Sequence, residues 1–338
     1  MSNATSTATR KDQWSLVVIY GTWICQLLVI GVGNGIIVFA ILSFKALRRR
    51  KEYLIIVGLS GADAVNMLAY GTSGLYRIYL LLANQFNSYR SPLSCIVHPS
   101  LIFWSAERAG AVMLVVVSFD RFLSVWRPIF YHNLRRHYAY ALLSLALAVG
   151  PGFWVVGLSL ALVQGDYLKQ VQAPCFTGQV WRTVSLKLGV YFMYVVPVLG
   201  VLSVVLYAAV WLVYTQEKSK VKGVESAMNQ ALERRRQRQL TRSLGVSCLC
   251  TLALLVVPMW LAYTGEFWGW SRVTMQILWM FPNFNPLCNM FIFIKRQPEL
   301  RRAVMAMLQR KQMPGNLNLW NLESTTAGGS QFAQARVM

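Results

Sequence analysis

WSLVVIYGTWICQLLVIGVGNGIIVFAILSF, residues 14–44, contains no Asp, Glu, Lys or Arg. A helix needs only about 20 such residues to cross the hydrocarbon core of a bilayer. The run stops against Lys45, Arg48, Arg49, Arg50 and Lys51, the type of cluster that stays with anionic headgroups. Six further apolar runs follow, at 53–82, 95–126, 138–163, 183–214, 241–264 and 272–294. This pattern predicts an all-α membrane protein, a seven-transmembrane helix bundle over 14–294.

Composition agrees: 56% of the 338 residues are hydrophobic and 13% are charged, against about a quarter charged in soluble domains. A net charge of +21 could suggest nucleic acid as a partner, but the basic residues sit in alternate connections. After the cluster at 45–51 come Arg127, Arg135 and Arg136, then Lys218 to Arg242, then Lys295 to Lys311. The positive-inside rule makes these connections cytoplasmic and puts the N-terminus outside, in a plasma-membrane protein with the bilayer as solvent and no nucleic-acid role. The glycosylation sequon at Asn3 falls on the outer side.

Residues 1–13 read as an extracellular tail and 312–338 as a flexible cytoplasmic tail. Between the last span and that tail, 295–311 carries Leu300, Val304, Met307 and Leu308 at helical spacing among arginines. It predicts a short amphipathic helix on the membrane surface. Helix-favouring residues at 225–239 predict that the fifth and sixth helices extend beyond the bilayer.

Of six cysteines, only Cys95 and Cys175 face the oxidising side, at the start of the third span and in the loop 164–182. A disulfide would tie that loop over the mouth of the bundle; two free thiols are the alternative. Ionisable residues inside spans are costly and mark function. Asp63, Glu107, Arg108, Asp120 and Arg121 are such residues. Glu107 and Arg108 point about 100° apart on a helix, so simple mutual pairing is not expected. Glu107 is either a ligand-facing carboxylate or part of a structural network with Arg108 or Arg77. Trp104, Tyr191, Trp260 and Tyr263 could line an apolar pocket, and Arg77 and Lys187, toward the outer ends of their spans, invite an anion.

These residues resemble the rhodopsin-like G-protein-coupled receptor pattern from the first helix to the tail helix. Gly33-Asn34 is similar to the family's first-helix pair, and Asp63 to its second-helix acid. Asp120-Arg121-Phe122 with Pro128 and Tyr131 resembles the Asp-Arg-Tyr signature and the proline-tyrosine motif that follows it. Pro197, Pro258 and Asn285-Pro286 match the remaining helix prolines. The Phe-Asp-Arg-Phe sequence and the tail Pro298-Glu299-Leu300-Arg301-Arg302 look closest to nematode chemosensory serpentine receptors. The resemblance implies an extracellular ligand, a heterotrimeric G protein as partner, and a chemosensory or neuropeptide-type role. Departures are Val256 in place of a tryptophan, Asn289 in place of a tyrosine, and Gly110 where relatives that bind sodium have serine. Arg238 stands where many relatives carry an acid that pairs with the third-helix arginine, so Asp120 is the expected main resting partner of Arg121, with Glu233 a distant candidate.

The seventh span holds no lysine, which excludes a retinal Schiff base. His98, His132 and His137 form no metal constellation, so neither an enzyme nor a cofactor is expected. A channel or transporter is the rival class; the odd span count and the lack of internal repeats count against it.

Overall fold

The computed structural model describes residues 10–163, 169–220 and 246–309. Asn3, Arg238, the 312–338 tail and the expected extension of the sixth helix lie outside these residues. Seven helices are long and apolar enough to cross a membrane: Gln13–Ser43, Lys51–Leu82, Pro99–Trp126, Arg136–Val163, Gly189–Val213, Val246–Gly265 and Val273–Arg296. We call them the first to seventh spans. The fifth continues as helix to Lys220.

Three boundaries differ from the sequence reading, each for a local reason. The third span begins at Pro99 and not at Cys95. His98 caps it, its ring accepting from the Ser100 amide at 3.3 Å, and Cys95 sits on a separate short helix, Pro92–Ile96. The fifth is preceded by a distinct helix, Thr177–Val184, which ends at Ser185 in extended conformation. The seventh is interrupted: Arg272–Leu278 is followed by a tight turn at Phe281–Asn283 around Pro282, then by Phe284–Arg296.

Close approach of the helices depends on small residues, as expected where lipid offers no hydrophobic drive between helices. A Cβ on Gly150 would lie 2.5 Å from the Ser105 carbonyl oxygen, so the fourth span meets the third backbone to backbone. Gly74 does the same on the first span, where a Cβ would stand 2.8 Å from the Tyr20 carbonyl. The buried Ser118 and Ser203 hydroxyls, 2.6 Å apart, join the third and fifth spans.

The tail helix, Pro298–Leu308, buries Leu300, Ala303 and Val304 against Ile37, Ala40 and Ile41 of the first span and leaves Arg301 and Arg302 exposed. Its Glu299 is held by Arg50 at 2.7 Å and by the Tyr53 hydroxyl at 3.0 Å. The amphipathic helix therefore docks on the bundle as well as presenting a basic face.

At the opposite end Cys95 and Cys175 form a disulfide. It fastens a loop that also pairs Val171–Gln172 with Tyr89–Arg90 in a two-stranded ribbon. The Tyr76 hydroxyl donates to the Ala173 carbonyl at 3.0 Å, and Arg77 Nε to the Pro174 carbonyl at 3.2 Å.

Candidate functional site

Beneath that loop lies a cavity of about 590 Å³, within the roughly 300–1,000 Å³ typical of small-molecule sites. Its aromatic lining comes from Trp23, Tyr70, Trp104, Phe176, Tyr263 and Trp279. Tyr70 meets Trp104 edge-on at 5.3 Å, and Tyr263 meets Trp279 edge-on at 5.4 Å, a favourable arrangement for ring quadrupoles.

Four of the sequence-predicted pocket residues meet here: Arg77, Trp104, Glu107 and Tyr263. Arg77 is 1% exposed, with its guanidinium carbon 4.7 Å from the Phe176 ring centre, 5.0 Å from Trp23, 5.4 Å from Tyr20 and 5.8 Å from Trp104. Lys187 is exposed, Tyr191 stacks on Phe153 at 4.9 Å with half its surface open, and Trp260 is 39% exposed. These three are not among the cavity's lining residues. Their helix faces turn outward, and an aromatic in a membrane span serves packing against lipid as readily as a pocket.

Glu107 and Arg108 pair after all, at 3.3 Å. Side chains on a helix lean toward its N-terminus. Arg108 Nη1 folds back far enough to donate to the Trp104 carbonyl at 3.0 Å, and from there it reaches its neighbour's carboxylate. The long arginine stem closes the angle that separates the two Cβ atoms. Lining residues not singled out in the sequence include Arg182 and Gln276. Gln276 carries no local sequence signal of a pocket role.

His98 lies beside the cavity's roof, just outside the third span, packed on the Tyr76 ring at 4.3 Å. Burial, with Arg90 and Arg77 nearby, holds its imidazole below its ordinary value of 6.5.

In the middle of the bundle, Asn34, Asp63, Asn285 and Asn289 are all buried. Asp63 has no ion pair among the described residues, and its Oδ2 lacks a hydrogen-bond partner there. Toward the opposite end of the sixth span, a wide π-turn, Thr251–Val256, ends two residues before Pro258. Its Thr251 hydroxyl donates to Asn285 Oδ1 at 3.2 Å, and Ser247 donates to Asn289 Oδ1 at 3.0 Å. Asn289 thus ties the sixth and seventh spans. Pro286 is buried one residue beyond Asn285.

At the far end of the third span Asp120, wholly buried, faces Arg121 at 3.6 Å. The Tyr131 hydroxyl donates to Asp120 Oδ2 at 3.2 Å, and Lys51 Nζ donates to the Tyr131 and Leu134 carbonyls. Tyr131 is carried by the short helix Pro128–Asn133, started by Pro128. Phe122 points aside and stacks on Trp126 at 5.5 Å. Asp120 therefore has two partners, one charged and one on the connection to the fourth span.

The family model described as "Serpentine type 7TM GPCR chemoreceptor Srsx" matches residues 28–308, from within the first span through the tail helix. No curated protein matches the sequence.

Proposed function

We propose, starting from the premise that this chain belongs to the Srsx family of serpentine seven-transmembrane chemoreceptors, that it binds an extracellular small molecule and activates a heterotrimeric G protein. The N-terminus is outside the plasma membrane, the disulfide-roofed cavity takes the ligand, and the Asp120–Arg121 end meets the G protein. The observation that carries this reading is the third span itself. One rigid helix holds Glu107 and Arg108 in the cavity and, 14 residues after Glu107, Arg121 at the other end, about 21 Å away along the axis at 1.5 Å per residue.

A ligand drawn against Trp104, Tyr263 and Trp279 changes the packing of the third, sixth and seventh spans together. The sixth span has a pivot suited to this, a π-turn followed by Pro258, whose missing N–H weakens the helix at that point. Arg121, which among the described residues is paired with its neighbour Asp120, is then available to the G protein. The direct test is nucleotide exchange on a co-reconstituted G protein, with the full chain in lipid nanodiscs. Wild type should accelerate exchange and Arg121→Ala should reduce it at least about tenfold. Equal exchange with and without the receptor, across G-protein classes, would refute the reading.

A further inference from the structure

The charges around the cavity are unequal. Among the described lining residues Arg77, Arg108 and Arg182 stand against one acid, Glu107. That acid is already engaged by Arg108 at 3.3 Å. Arg77 has no carboxylate within ion-pair distance among the described residues. Its surroundings are the Pro174 carbonyl and four aromatic rings.

The negative ring faces attract a cation that has left water and so offset part of the cost of burying it. The cage can therefore keep Arg77 charged without a protein counter-ion. A guanidinium presents donors in a planar fork that matches a carboxylate. A second feature points to a ligand: Gln276, 8% exposed, has an amide oxygen with no donor among the described residues. A buried acceptor left open at a cavity wall awaits an N–H or O–H from the occupant.

We propose that the cavity under the disulfide loop binds a small organic anion, an aromatic body bearing a carboxylate, with the acid group seated on Arg77 and a donor on the body directed to Gln276. This deepens the receptor reading above and rests on it for its signalling consequence.

The test uses matched acids and amines of the same ring system as probes: indole-3-acetate against tryptamine, and 4-hydroxyphenylacetate against tyramine. Thermal unfolding of the full chain in phosphatidylcholine nanodiscs reads binding, and nucleotide exchange on a co-reconstituted G protein reads signalling. We expect at least one acid to raise the unfolding midpoint by a few degrees while its amine does not. Arg77→Gln should weaken that acid at least about tenfold, and Arg77→Lys should retain part of the effect. Glu107→Gln, which removes the one acid of the described lining and leaves Arg77 in place, should strengthen it, so the proposal stays open to refutation even if Arg77→Gln fails to fold.

Stabilisation by the amines alone, by neither class, or by acids indifferent to both Arg77→Lys and Glu107→Gln would overturn the anion site. An acid that stabilises the protein but leaves exchange unchanged supports the site while counting against the signalling role. An amine that drives exchange overturns the anion proposal and leaves the receptor reading standing.

Discussion

Asp120 stands at the centre of the polar contacts at its end of the third span. Its carboxylate is shared between Arg121 and the Tyr131 hydroxyl, and no acid of the sixth span pairs with Arg121 among the described residues. Tyr131→Phe removes a hydrogen bond to a charged group, worth about 1.5–3 kcal/mol. If part of that energy favours the resting state, ligand-independent exchange should rise several-fold at matched expression; an unchanged baseline would place the resting constraint elsewhere. Among the described residues Arg121 has the main partner anticipated in the sequence, because an adjacent acid is legible without a fold; Glu233 lies outside those residues. Pairing of Glu107 with Arg108 was not legible, since helical spacing describes Cβ directions and not where a flexible guanidinium ends.

Asp63 offers a second test at this scale. A buried carboxylate with no ion pair among the described residues is a burden on the folded state. Asp63→Asn should leave the unfolding midpoint in nanodiscs unchanged or raise it, whereas a fall of several degrees would indicate that the charge has a partner in the membrane. His98 adds a pH dependence. Its folded value lies below the ordinary 6.5, so the unfolded chain takes up its proton first as pH falls. The stability that neutral His98 contributes is complete above the ordinary value and is lost as pH drops through and below it. Thermal midpoints should decline on acidification from neutrality, and less steeply in His98→Asn, whose side chain can still cap the helix at Ser100.

Among the elements, the fourth span depends most visibly on one position. Gly150→Ala would drive a methyl group to within 2.5 Å of the Ser105 carbonyl and separate the third and fourth helices. Overpacking of this kind costs about 1–3 kcal/mol, which should appear as reduced surface delivery and a lower midpoint. Gly152, two residues on, has open space and should accept alanine without loss. All seven spans could be read from long apolar runs with few charges because a bilayer forces each helix to be mostly apolar along its length. Their ends were less legible. The apolar runs take in Cys95 and Thr183–Val184, yet Pro99 and the extended Ser185 break the helix beside them. The tail helix was visible from its spacing, but its docking through Glu299 needs Arg50 and Tyr53, which lie about 250 residues away.

For the molecule as a whole, the two ends are built differently. One end is braced by a covalent loop and aromatic rings, the other by short polar contacts that can be exchanged. Cys95→Ser and Cys175→Ser should each lower surface expression or ligand response, with the double variant no worse than either single, since both remove the same bond. Additive losses would argue for separate roles. The pocket's location follows from the topology that brings the second, third, sixth and seventh spans together beneath the loop. A single sequence marks the charged members of that set but not Gln276 or Trp279, whose role depends on which helix faces which.

The loop over the cavity is sewn down at more than its disulfide. Ala173 accepts from Tyr76, Pro174 accepts from Arg77, and the Ala173 amide reaches the Ser88 carbonyl at 2.8 Å. These bonds lie within two residues of Cys175, so a molecule leaving by that route would have to undo them together. Escape would then be slow even for a weakly held occupant, and how long a signal lasts would be set by the stitching of the loop more than by the ligand's own grip.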